Sequence, residues 1–172
     1  TTEPKTAAAT EPAQSAKPSG LDLAIVLFFT TMVMTLAATA MLWIPAIAPA
    51  GADEMGVSSS LVGYQFTIAY LGAMTSSLFA GSLVQRLGAW RTSQMSLVFL
   101  ASGHLIMMTG VPAIMVVGSV VTGLGYGAMN PPALDLLNRV ASPSNRNLVF
   151  SIRFTGVPLG GVLASLIGPP LA

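Results

Sequence analysis

The chain has 172 residues, of which 53% are hydrophobic and 8% charged, and its formal net charge is +1. Soluble domains carry about 25% charged residues, so this chain lacks the charge to cover a water-facing surface, and its mean hydropathy of +0.74 agrees. The near-neutral balance excludes a nucleic-acid binder, which needs a basic face, and the lack of cysteine excludes disulfides and thiolate metal sites.

Residues 1–20 hold Ala, Thr, Pro, Ser, Glu and Lys without apolar periodicity, so a disordered tail is expected there. Five apolar stretches follow within 21–172. A helix needs about 20 apolar residues to cross the hydrocarbon core of a bilayer. The first stretch, about 23–44, has no charge inside it and Pro45 closing it. The second covers about 61–83 and is also uncharged, and the third, about 93–110, holds His104. The fourth, about 113–137, is rich in glycine and carries Pro131 and Pro132, and the fifth, about 148–171, contains Arg153 and a Gly/Pro cluster. All are continuously apolar rather than alternating, which favours helices over strands. The expected fold is an all-α, polytopic transmembrane helix bundle. The first stretch is too long for a signal-peptide core and four more follow it, so it is expected to be a retained span.

The basic residues set an orientation. Lys5 and Lys17 precede the first stretch, Arg86 and Arg91 lie between the second and third, and Arg139 and Arg146 lie between the fourth and fifth. The connection 45–60 holds Asp53 and Glu54 but no Lys or Arg, and the short turn around Pro112 is uncharged. Basic residues therefore alternate by side, which by the positive-inside rule predicts a cytoplasmic N-terminus.

Three local patterns carry a resemblance. Between the second and third stretches stands Gly81-Ser82-Leu83-Val84-Gln85-Arg86-Leu87-Gly88-Ala89-Trp90-Arg91. It resembles the cytoplasmic signature loop of the major facilitator superfamily, Gly-x-Leu-x-Asp-Arg-x-Gly-Arg-Lys. Gly81, Leu83, Arg86 and Gly88 match, Gln85 stands at the Asp position, and Arg91 restores one lost basic charge. Gly81 is expected to permit close helix contact and Gly88 a tight turn. Arg86 is expected to meet helix C-terminal carbonyls or lipid phosphate. In the fourth stretch Gly123, Gly125, Gly127 and Pro131 fit the family's Gly-x-Gly and Pro spacing, with Ser119 at its Arg position. Gly123 and Gly127 also form a small-xxx-small pair suited to close packing. In the fifth, Gly156, Pro158, Gly160 and Gly161 are similar to the family's Gly/Pro-rich fifth helix, where Pro158 permits a bend.

Polar groups inside membrane spans are costly and are candidates for function. Arg153 and Asp135 fall at similar depth on antiparallel stretches, so an Asp135–Arg153 pair is one expectation, and Asp135–Arg139, four apart on one helix, is the competing one. Arg153 is also a candidate for an anionic solute. His104 is expected either to relay protons or to hydrogen-bond a neighbouring helix. Asn130, Gln65, Thr35 and Thr39 are candidates for lining a central cavity, since polar groups in lipid must find partners. The methionines are expected to fill packing gaps.

The resemblance covers Leu23 to Ala172, about five of the family's usual twelve spans. It implies the first five helices of an N-terminal half, in a bacterial-type inner membrane, with the C-terminal half missing. It implies secondary active transport of a small solute by alternating access, with a coupling ion as a further candidate partner beside the lipid bilayer. No cofactor, metal or catalytic residue is expected, and no enzyme activity, because Gly123-x-Gly125-x-Gly127 lacks the Lys of a phosphate loop and no nucleophile-base set is present. The alternative from another class is a small five-helix membrane scaffold or assembly protein.

Overall fold

A computed structural model describes residues 19–55 and 58–171. The expected tail over 1–20 lies almost wholly outside them, as do Lys5 and Lys17. The described residues form seven helical segments and no strand: α1 (Gly20–Met55), α2 (Ser59–Leu87), α3 (Ala89–Met107), α4 (Pro112–Ala128), α5 (Asn130–Val140), α6 (Arg146–Phe154) and α7 (Gly156–Leu171). Segments α4 and α5 make one rod interrupted at Met129, and α6 and α7 another interrupted at Thr155. The described residues thus form an all-α bundle of five rods.

The interruptions follow from proline. Pro131 and Pro132 have no N–H, so the carbonyls of Gly127 and Ala128 lose their helical donors, and Met129 closes instead on Tyr126 at 3.4 Å. Pro158 likewise leaves the Phe154 carbonyl without its donor, and the Thr155 N–H turns to Ser151 and Ile152. Pro45 acts less strongly. It was expected to close the first stretch, but α1 runs on through Pro45 and Pro49 to Met55, since each proline removes a single hydrogen bond and the fixed φ of its ring is itself helical. The apolar run of α1 continues in sequence through Ile47, Ala48 and Ala50 before the charges at Asp53 and Glu54.

Four helical rods among the described residues are long and apolar enough to cross a membrane: Gly20–Ala46, Gly63–Leu87, Pro112–Val140 and Arg146–Gly168. Helix α3 is not among them. At 19 residues it is about 28 Å long by the helical rise, close to the thickness of a hydrocarbon core. Its first turns, however, hold Arg91, Thr92, Ser93 and Gln94. It starts earlier than the apolar stretch, because Gly88 at φ 83° lets α3 begin directly after α2.

Rod α4 lies between α2 and α3, and α1 packs along α7. Glycines set these distances. A Cβ on Gly123 or Gly127 would overlap the Ala69 or Ala73 carbonyl of α2, and one on Gly125 would lie 2.7 Å from the Ser96 carbonyl of α3. A Cβ on Gly160 would meet the Thr35 carbonyl of α1 at 2.6 Å. Residues 69 and 73 meet 123 and 127, so α2 and α4 run parallel, whereas 96 meets 125 and 103 meets 118, so α3 and α4 run antiparallel. Large apolar side chains such as Leu78, Phe79, Val98, Leu105 and Leu166 face outward, as a lipid-facing surface requires. One buried cluster joins Met34, Ala37, Leu100 and Met129, and another joins Leu137, Ala141 and Val149.

Candidate functional site

Val149, Arg153 and Val157 are spaced four apart on the α6–α7 rod, and so share one face. Val149 belongs to one buried cluster and Val157 packs against the other. Arg153 therefore sits in the middle of a core stripe and is wholly buried, at 0% exposure. One Nη2–H donates to Asn130 Oδ1 at 3.1 Å, and Nη2 also approaches Met34 Sδ at 3.8 Å. The guanidinium carbon lies 5.4 Å from the Phe154 ring centroid. Its Nε and Nη1 have no hydrogen-bond partner among the described residues. Asn130 reaches this point because it opens α5 just after the Met129 interruption.

The Asp135–Arg153 pair is not formed. Asp135 Oδ2 instead accepts from Arg139 Nη2 at 2.8 Å and Nε at 3.1 Å. The reason is local: the i,i+4 spacing already brings Asp135 and Arg139 together on α5. That pair is exposed, with side-chain exposures of 35% for Asp135 and 69% for Arg139.

His104 links two helices. Its Nδ1 lies 2.8 Å from the Leu100 carbonyl on its own helix and its Nε2 2.9 Å from the Ala40 carbonyl of α1. A neutral imidazole has one N–H, so it donates to one of these oxygens, and only the imidazolium donates to both. Thr35 and Thr39 donate to carbonyls one turn back, at 3.0 and 2.8 Å, which satisfies their hydroxyls inside the helix. Gln65 is buried in α2 and takes no part in the hydrogen bonds of Arg153.

The loop residues lie elsewhere. Gln85, Arg86 and Arg91 are exposed at the α2–α3 junction. Gly81, expected at a close helix contact, faces open space among the described residues. Gly88 makes the turn between α2 and α3. In the fifth rod Gly156 and Gly160 press against α1, Gly161 approaches Leu42, and Pro158 sits just past the Thr155 interruption.

A cavity of about 440 Å³ opens beside Arg153, which forms part of its wall. Helix α1 contributes Phe29 and Val33, α3 Trp90 and Leu97, and α5 Leu136, so the wall is overwhelmingly apolar. Sequence reasoning missed these residues. Ile25, Phe29 and Val33 do recur every four positions, but α1 is apolar all round, so no contrast marks that face.

The model of the Major Facilitator Superfamily matches residues 23–172. A 3-(3-hydroxy-phenyl)propionate transporter of Escherichia coli (strain K12) is 29% identical over 119 residues, covering 68% of this chain and 29% of that protein. Multidrug resistance protein MdtH of Yersinia enterocolitica is 26% identical over 117 residues, covering 67% of this chain and 29% of the relative. MdtH of Yersinia pestis (strain Pestoides F) matches with the same identity and coverage. No solved structure matches the chain. The chain thus spans under a third of these relatives' length. With a matched region running through all five rods, this multi-pass membrane chain belongs to the Major Facilitator Superfamily.

Proposed function

We propose that the chain supplies the first five transmembrane helices of a secondary active transporter, which moves a small solute across a bacterial-type inner membrane by alternating access. The N-terminus and the Arg86 and Arg139 connections face the cytoplasm. The remaining helices complete a two-halved protein, with the solute bound between the halves near the midplane. The observation that carries this reading is the family match over residues 23–172. The interruptions at Met129 and Thr155 support it, since broken helices are where such bundles bend. Two of the similar proteins are named for a phenylpropionate and for multidrug resistance, which supports a small organic solute. Arg153, Asn130, Asp135, His104 and Gln65 remain the candidates for solute binding or gating.

The test is uptake into proteoliposomes holding the full-length gene product. Solute accumulation against its own gradient, driven by an imposed ion gradient and collapsed by an ionophore, is the expected result. Binding to other membrane proteins without uptake of any solute would favour the five-helix scaffold instead.

A further inference from the structure

We propose that Arg153 and the cavity beside it form a receptor for an amphipathic organic carboxylate, a solute class for the transport reading above, on which this inference rests. The guanidinium is always charged and cannot relieve its burial by losing a proton. It is wholly buried, and an uncompensated charge in such a place costs several kcal/mol. Asn130 satisfies a single N–H through Nη2. Nε and Nη1, with three N–H groups between them, have no acceptor among the described residues.

Among the described residues no carboxylate fills that role. The chain has six acidic residues: Glu3, Glu11, Asp22, Asp53, Glu54 and Asp135. Asp135 is held by Arg139 at 2.8 Å, and Asp22 is bonded to Ser19 at 2.9 Å. Arg153 meets α1 at Met34, and Asp53 is 19 positions further along that helix, about 28 Å away by the helical rise. Glu3 and Glu11 precede the described residues. The described residues therefore supply no counter-charge to Arg153.

The cavity indicates what accompanies it. Its volume of about 440 Å³ falls in the range of small-molecule sites. Phe29, Val33, Trp90, Leu97 and Leu136 line it, and Arg153 is its one charged wall residue. A chloride or phosphate ion would leave that apolar wall without a partner. A carboxylate on an aromatic or aliphatic body would place its charge at the guanidinium and its body against the wall, as ligand sites with few polar groups do.

The experiment uses the purified full-length protein in lipid nanodiscs, titrated with 4-phenylbutyrate, its neutral isostere 4-phenylbutyramide, and inorganic phosphate. Binding is read by ligand-induced thermal stabilisation and by tryptophan fluorescence, since Trp90 lies in the wall. The acid is expected to bind at least about tenfold more tightly than the amide, and phosphate not to saturate, given the strength of charge-assisted bonds to a buried guanidinium. Arg153→Gln should erase the preference for the acid, while Arg153→Lys should keep it at reduced affinity. Leu97→Trp, on an exposed part of the wall, should weaken acid and amide together. Equal binding of acid and amide, phosphate binding as tight as the acid, or an acid preference that survives Arg153→Gln would each overturn the proposal. So would the absence of acid binding by a protein that transports a solute in proteoliposomes, a result that leaves the transport reading intact. That last outcome is the one expected if an acidic side chain from the rest of the transporter neutralises Arg153.

Discussion

In the seam of α4 against α2 and α3, backbones approach so closely that glycine is the only residue that fits, and the buried hydroxyls of Ser96 and Ser119 are satisfied by carbonyls one turn back. In the interior between α1, α5 and α6, a full charge is buried with one good hydrogen bond and a cavity at its side. The first region gains its stability from dispersion and small-residue packing, the main adhesive between membrane helices. The second sacrifices stability to hold a charge away from the surface. Both regions bury polar groups and each leaves some unmet among the described residues, Thr122 Oγ1 in the seam and Nε and Nη1 of Arg153 in the interior, but only in the interior does the unmet group carry a full charge.

The sharpest way to break this contrast is at Gly123. Gly123→Leu drives a side chain into the Ala69 carbonyl, and overpacking of that kind costs about 3 kcal/mol or more. We expect little folded protein in membranes. Near-normal yield and unfolding midpoint would mean that the seam is looser than described. Gly63, with nothing within 4 Å, should accept Ala without loss.

Asn130→Ala removes the acceptor of Arg153 Nη2. Leaving a buried charged donor wholly unmet costs about 1–3 kcal/mol, readable as a lowered midpoint of thermal unfolding. Arg153→Met should raise the midpoint instead, by a stabilisation of about 1 kcal/mol. Removing an uncompensated buried charge outweighs the loss of the Asn130 hydrogen bond. A drop of similar size would place Arg153 with the structural residues and erase the difference between the two regions. Asp135→Asn tests the smallest effect. Its pair with Arg139 is exposed, so the loss should stay under about 0.5 kcal/mol.

Much of the bundle was legible before any coordinates. Long uncharged runs such as 23–44 predict membrane helices because only helices and closed barrels satisfy a backbone in lipid, and barrel strands alternate where these runs do not. Gly123 and Gly127 announced close packing by their spacing, and Pro158 announced a bend by its missing donor. The partner of Asp135 was readable only as a choice, since both Arg139 and Arg153 lay within plausible reach. Helix α1 hid its cavity face because its surroundings, not its residues, separate Phe29 and Val33 from their neighbours. Gly81 misled in the other direction, because a signature glycine says nothing of what stands opposite it.

Residue chemistry alone determined that the chain is helical and membrane-embedded, since hydropathy acts locally along the chain, but not which prolines interrupt a rod, for α1 runs through Pro45 and Pro49. Only the tertiary structure decided which buried polar groups are satisfied. It set His104 between α3 and the Ala40 carbonyl of α1, and left two nitrogens of Arg153 without acceptors among the described residues. Those outcomes depend on which helices meet and at what level, and distances across the bundle are not written in any one segment.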